Sequence, residues 1–265
     1  MPSTFFGLNI SASGLRAANA ALNTTANNVA NAQTDGYSRQ KVTQSASDAI
    51  RVYTTYGSMG SGVDTDSIDR VRDSFYDEKY RDNESRLGEQ DKKYYYCKLI
   101  EDYFTDDKVS GFNTIFTDFI NNLEEVTKTA DVESTKKMLI EQTSSLTDYF
   151  NNMYGNLQKM QSDVNQELKT CVDELNTLAT ELASINKQIN VIELTGAKAN
   201  ELRDKRDVIV DKISNIVSVE TQELPIYDKN GEETNATRFI LQLVGGQTLV
   251  DQNEARQIAY TARDD

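Results

Sequence analysis

Leu8, Leu15, Leu22 and Val29 recur at intervals of seven, and Ala12, Ala18 and Ala26 fill positions between them, so a narrow apolar seam runs along a predicted N-terminal helix. Asn19, Asn23, Asn27 and Asn31 recur at intervals of four, which stacks uncharged amides along one flank of that helix. Asn is a poor helix former, so propensity does not account for the row. Arg16 is the only charged side chain before Asp35, in a chain that is 26% charged. Such a surface suits close contact with other helices, because unpaired charges there would be costly to desolvate. An amphipathic helix docked on its own domain would show the same periodicity.

Beyond the seam, the helix is expected to end near Ala32, with Asp35-Gly36 as a turn in which Gly takes a positive φ. Runs at 37–46, 49–56 and 62–68 carry β-branched or aromatic residues, are separated by Gly57, Gly60 and Gly62, and predict a small β-rich connector. Residues 70–104 are charged and glycine-poor, with Val71, Phe75, Leu87, Tyr94, Cys97, Ile100 and Phe104 as an imperfect helical stripe that breaks at 108–111. Phe112, Ile115, Phe116, Phe119, Ile120, Leu123 and Val126 then mark a clearly amphipathic helix.

The longest element follows, with Asp131 or Ser134 as its expected N-cap. From Leu139 to Ile192 apolar residues return at threes and fours, and Gly155 alone, costing about 1 kcal/mol relative to Ala, is too weak to divide the helix. A helix over 134–194 would be roughly 90 Å long at the rise of an α-helix. Thr195-Gly196 should turn the chain, and Leu202, Ile209, Ile213 and Ile216 predict a return helix ending near Val217. Arg206 stands where that seam expects an apolar residue and reads as a register device or a snorkelling edge. From Val219 the texture changes: 224–227, 238–244 and 257–262 have strand character, separated by 228–231 and Gly245-Gly246, as expected of two or three hairpins.

The expected fold is therefore mainly α: a long antiparallel helical hairpin or bundle, an N-terminal coiled-coil-type helix, a short β-rich connector and a small C-terminal antiparallel β unit. Its expected parts are 1–36 (terminal helix), 37–69 (connector), 70–218 (long-helix bundle) and 219–265 (start of a β-rich domain).

Charge and chemistry narrow the function. A net charge of -14 argues against nucleic acid, whose phosphates need a basic footprint. No apolar run approaches the roughly 20 residues that cross a bilayer, and the N-terminus lacks the basic and apolar regions of a cleavable signal. Cys97 and Cys171 form no CxxC and read as small apolar fillers.

The absence of histidine excludes HExxH zinc sites and Ser-His or Cys-His nucleophile pairs. Ser38-x-x-Lys41, Ser134-x-x-Lys137 and Ser184-x-x-Lys187 share a catalytic spacing without its companion motifs. Asp64, Asp66 and Asp69 do not make an EF-hand, since Asp69 stands where the loop needs Gly and Phe75 where it needs Glu. No Walker loop or dinucleotide fingerprint is present, and Tyr94-Tyr95-Tyr96 reads as helix packing plus an exposed ring. No catalytic residue, cofactor or metal is expected, and the chain is expected not to be an enzyme.

The stretch GLNISASGLRAANAALNTTANNVANAQTDGYSRQ resembles the N-terminal motif shared by axial proteins of the bacterial flagellum, in the blocks Ser13-Gly14-Leu15, Asn27-Asn28-Val29-Ala30-Asn31 and Gly36-Tyr37. The continuation Ser38-Arg39-Gln40 and the long helices after it are most similar to the hook-associated proteins of the hook–filament junction. The pattern Gly60, Gly62, Val63 and the Leu-x-x-x-Arg-Asp run from Leu202 to Asp207 are similar to that family too. The resemblance implies a structural adaptor that polymerises at the junction, with Leu8, Leu15, Leu22, Val29, Asn19, Asn23, Asn27 and Asn31 as its assembly surface. Implied partners are other copies of itself, hook protein, the second junction protein and an export chaperone that recognises a C-terminal region. Implied too are export through the flagellar type III apparatus and an extracellular place in the flagellum. Family members finish with a C-terminal helix that pairs with the N-terminal one, so a chain that stops at Asp265 is expected to be truncated. Another axial subunit, such as the second junction protein or a divergent flagellin, and a free-standing helical spacer are the competing readings. An assembly arm predicts that proteolysis removes about the first 35 residues before a helical core from Arg70 to Val217.

Overall fold

The structure is a computed structural model that describes residues 5–51, 57–104 and 111–262. Its contacts divide the chain into two compact units, Met1–Ser85 with Leu175–Gln257, and Arg86–Glu174 with Ile258–Asp265.

In the first unit, helix α1 spans Phe6–Ala30 and the chain turns at Gly36, whose φ is +77° as the turn demands. The connector follows as β1 (Gln40–Ala46), β2 (Ile50–Arg51), β3 (Ser58–Met59) and β4 (Val63–Arg70). β1 pairs antiparallel with β4 through a bulge at Thr43/Gln44, and β2 pairs with β3. Residues 52–56 of the expected 49–56 run lie outside the described residues.

The core of this unit sits where the last part of helix α4 (Glu133–Glu193) meets helix α5 (Asn200–Ile216) and the C-terminal sheet. Leu178, Leu182, Ile185 and Ile189 from α4 are buried, as are Ile209, Val210 and Ile213 from α5. Threes-and-fours spacing puts each set on one helix face, so the two stripes can be buried together. The sheet has the order β5 (Val219–Tyr227), β6 (Glu233–Leu243), β7 (Thr248–Asp251), β8 (Glu254–Ala255), all antiparallel neighbours, and buries Phe239, Leu241, Leu249 and Val250.

The second unit takes helix α2 (Ser74–Phe104) from Arg86 onward, helix α3 (Phe112–Lys128) and the first part of α4. Its packing is thin: α3 buries no side chain, and the best contacts are aromatic, with Phe112 stacked on Phe116 at 5.5 Å and tilted against Tyr149 at 5.8 Å. The break expected at 108–111 lies outside the described residues except for Gly111, and the side chain of Phe104 does too.

The element sequence and the mainly α class agree with the sequence analysis, and Gly155 does not interrupt the 61-residue α4. Four readings change. Residues 257–262 form no strand; the pairing instead uses Thr248–Asp251 and Glu254–Ala255, whose two-residue turn lets β8 fold straight back on β7. Helix α4 begins at Glu133, between the two residues expected to cap it. Cys97 is exposed and so fills no core, and Cys171 is half-buried; both are free thiols. Arg206 does not snorkel: it is buried, with its guanidinium 4.1 Å above the Phe239 ring and its charge facing Glu223 at 3.3 Å. Of the three consecutive tyrosines Tyr94 and Tyr95 are exposed, and Tyr96 packs, donating its hydroxyl to Glu167.

Candidate assembly interface

Seven-residue spacing advances an α-helix by two turns less about 20°, so Leu8, Leu15, Leu22 and Val29 lie on one side of α1, while Ser13, Ala17 and Thr24 lie on the opposite side. The two sides have different fates. Ala17 and Thr24 are buried against the connector, yet Leu8, Leu15, Leu22 and Val29 are 64%, 64%, 67% and 73% exposed. An ordered helix with one face docked and an unbroken apolar seam on the other is poorly suited to facing water alone.

The docked face is held by side chains of helix and connector, each bonded to the backbone of the other. Gln44 donates from Nε2 to the Ala17 carbonyl at 2.9 Å, and Ser13 Oγ accepts the Val63 N–H at 3.2 Å. Gly62 lies so close that a Cβ there would sit 2.2 Å from Ser13 Oγ. Within the Gly60, Gly62, Val63 pattern, Gly62 and Val63 thus serve a close approach to the helix, whereas a Cβ at Gly60 would meet nothing within 4 Å.

Asn28 carries the most bonds. Its Nδ2 donates to the Gln40 carbonyl at 2.8 Å, and its Oδ1 accepts the Gln40 N–H at 2.8 Å and the Tyr37 hydroxyl at 2.9 Å. A side-chain amide thereby pairs with a β1 residue as another strand would. The four-spaced row divides: Asn19 and Asn23 are exposed, whereas Asn31, the C-cap of α1, donates from Nδ2 to Asn27 Oδ1 at 2.8 Å, so the last two members are half-buried and bonded to each other at the end of the helix. Of the remaining motif residues Gly36 abuts α5 and Arg39 is exposed.

Helix α5 secures the connector from the other side. Asp204 Oδ2 accepts the Ser38 N–H at 3.0 Å, Gln40 Nε2 donates to Glu201 Oε1 at 3.2 Å, and Asn200 Nδ2 donates to the Ile68 carbonyl at 2.7 Å. Arg70 reaches Asp204 at 2.8 Å and Asp207 at 2.7 Å; Arg81 reaches Asp211 at 2.8 Å and Asp207 at 3.4 Å. Asp204, Asp207 and Asp211 stand at intervals of three and four, so one helix face gathers three arginine partners, with Arg72 3.6 Å from Asp207. Burial raises the carboxyl of Asp211 above its usual value, with Arg81 and Arg72 pulling the other way.

A second cluster ties the two ends of the helical turn to the sheet. Arg203 makes a bidentate pair with buried Glu193 at 2.6 and 2.8 Å, and reaches Glu223 at 3.0 Å. Burial alone would raise the Glu223 carboxyl, but Arg206, Arg203 and the Thr237 hydroxyl hold it down to about 2. Both clusters are internally neutralised. Among the described residues no group of His, Cys, Asp and Glu could hold a metal ion.

The serines of the Ser-x-x-Lys spacings have structural settings: Ser38 is buried beside Asp204 and Arg72, while Ser134 and Ser184 are exposed on α4. The motif names Asn28 but not its pairing with Gln40, and it does not give the α5 carboxylates their role. The signals were present as a Leu-x-x-x-Arg-Asp run and three aspartates on a helical period, but nothing in a linear pattern names Arg70, Arg72 and Arg81 as their partners.

A family model described as the flagellar hook-associated protein FlgK helical domain matches residues 97–265, more than half of the chain. The chain belongs to this family. A second model, for flagella basal body rod proteins, matches residues 8–37, the stretch that holds the seam and its Asn row. Flagellar hook-associated protein 1 of Bacillus subtilis is 37% identical over 236 residues, which are 87% of this chain and 46% of that protein. Its Escherichia coli counterpart is 29% identical over 254 residues, 95% of this chain and 44% of that protein. The chain thus spans under half the length of these relatives. The solved flagellar hook junction protein FlgK from Burkholderia pseudomallei shares the fold with a TM-score of 0.57 at 20% identity, over 68% of this chain and 30% of that one.

Proposed function

We propose that this chain is the junction-forming part of a hook-associated subunit, a non-catalytic structural adaptor that polymerises between flagellar hook and filament. The observation that carries the reading is the seam: four large apolar side chains, each at least 64% exposed, on a helix whose opposite face is already docked. In the assembly Leu8, Leu15, Leu22 and Val29 fill the groove between neighbouring helices, and Asn19 and Asn23 add uncharged hydrogen bonds at its flank. Asn27 and Asn31, which bond to each other at the C-terminal end of α1, shape that flank and leave it without charge.

The expected division of labour is a terminal helix over 1–36, a connector over 37–69, a helical body over 70–218 and a β-rich portion over 219–265. Partners are further copies of the subunit, hook protein below and the second junction protein above, with an export chaperone acting on the C-terminal region that family members carry. The subunit leaves the cell through the flagellar type III apparatus and works outside it.

Motility rescue tests the reading. Supplied as the full-length gene to a bacterium lacking its hook–filament junction, the parent restores swimming and Leu15→Glu/Leu22→Glu does not, while hooks form in both. Failure of the parent to anchor filaments on normal hooks overturns the identification.

A further inference from the structure

We infer that the polar face of α5, centred on Asp204, fixes the direction in which α1 presents its seam, so that a helix far along the chain controls assembly competence. This rests on the assembly reading above and extends it to a set of positioning residues.

The chain of contacts is short and continuous. Asp204 Oδ2 holds the Ser38 N–H just ahead of β1, and its Oδ1 meets Arg70 at the end of β4, which lies opposite Gln40, so one carboxylate 166 residues from Ser38 in sequence holds both strands at the same end of the β1–β4 pair. Asn200 and Glu201, one turn earlier, hold Ile68 and Gln40. Gln40 in turn gives both backbone groups to Asn28 of α1. Asp35 and Gly36 close the loop between helix and strand, and Gly36 is pressed onto α5, where a Cβ would meet Val208 Cγ2 at 2.0 Å. Helix α1 is therefore oriented through Asn28, Gln40 and the strand ends, with α5 as the fixed reference.

Buried ion pairs contribute little net stability because desolvation offsets their attraction, but their geometry is strict. A device whose role is direction suits such groups better than apolar packing, which tolerates sliding. Asp204 can also be removed without orphaning its main partner, since Arg70 keeps Asp207 at 2.7 Å. Loss of Asp204 should thus loosen the arm before it loosens the core.

The test pairs a distance measurement with motility. In a Cys97→Ser/Cys171→Ser background, spin labels at Ala26→Cys in α1 and Thr180→Cys in α4, both exposed positions, report arm direction by pulsed electron resonance. Asp204→Ala should broaden the distance distribution about twofold or more, while amide exchange at Leu182 and Ile213 in the buried core stays as in the parent. Asp204→Asn, which keeps one acceptor for Ser38 but turns an amide NH2 toward the Arg70 guanidinium, should fall between the parent and Asp204→Ala. Asn28→Ala, which cuts the same linkage at its other end, should broaden the distribution as Asp204→Ala does. In the full-length gene Asp204→Ala should lose motility and Asp204→Asn should retain an intermediate share of it.

An unchanged distance distribution in Asp204→Ala and Asn28→Ala overturns the inference. So does a broadened arm with intact motility, or acceleration of exchange in the core together with the arm, which would mark Asp204 as an ordinary stability residue. Seam variants separate the two levels: if Leu15→Glu/Leu22→Glu swims normally, the assembly reading itself fails whatever the distances show.

Discussion

Gly36 is constrained twice, by a φ of +77° and by a Val208 methyl 2.0 Å from where a Cβ would stand. Gly36→Ala should therefore destabilise the first unit on the order of 2 kcal/mol in urea unfolding. In Gly36→Ala/Val208→Ala the steric share should be relieved and the backbone share should persist, giving a total below the sum of the single changes. Asn28→Ala leaves the Gln40 N–H and carbonyl without their side-chain partners, and about 2–3 kcal/mol is the expected cost. At Glu223 the prediction concerns pH. Because its carboxyl titrates near 2 in the folded chain rather than at the usual 4.5, ionised Glu223 stabilises the fold above pH 4.5. That contribution fades as pH falls toward 2, so Glu223→Gln should flatten the acid limb of the stability curve over that window. An equally steep acid limb in the variant would show that the arginines exert no such hold.

At the scale of the element, α4 shows how a pattern survives a weak residue. A Cβ at Gly155 would meet nothing within 4 Å and its φ is helical, so the glycine is neither a hinge nor a close approach. Gly155→Ala should raise stability by about 1 kcal/mol, seen as a higher Tm for the second unit. Helix α2 joins α4 in that unit through Tyr96 and Lys92, both bonded to Glu167. The bond to Glu167, then burial, raises the Tyr96 hydroxyl to about 12. The protonated phenol is thus favoured by folding: its contribution is complete below pH 10 and is lost as pH rises through 12. In a spectrophotometric titration Tyr96→Phe should remove one late-ionising tyrosine, leaving the earlier part of the curve in place. The element boundaries were largely legible in the sequence, because long helices repeat one period many times. The 257–262 misreading shows the limit: short strands carry few residues of pattern, and Thr248–Asp251 and Glu254–Ala255 become strands through their pairing with β6 and with each other.

For the whole molecule, burial is unequal between the units. Among the described residues of the second unit only Gly111 is buried, whereas the first unit holds all the buried side chains of α4 and α5 and ties α1 to its connector. This moves the expected first proteolytic cut. A free arm should be clipped before the helical body, but a docked arm with a thin second unit should be cut first within Arg86–Glu174. Timed digestion with mass analysis checks it, and early loss of the first 35 or so residues would show that the docked face of α1 opens readily.

The amino-acid order by itself determined the helices, the glycine turns, the chargeless seam of Leu8, Leu15, Leu22 and Val29, and the flagellar likeness, since each depends on residues near one another in the chain. Only the tertiary structure decided which face of α1 is docked, that Arg206 is buried on Phe239, and that Asp204, Asp207 and Asp211 answer Arg70, Arg72 and Arg81. The physical reason is that periodicity records how much of an element is apolar, while a charge is settled by whichever opposite group folding brings within hydrogen-bond reach, here from up to 137 residues away.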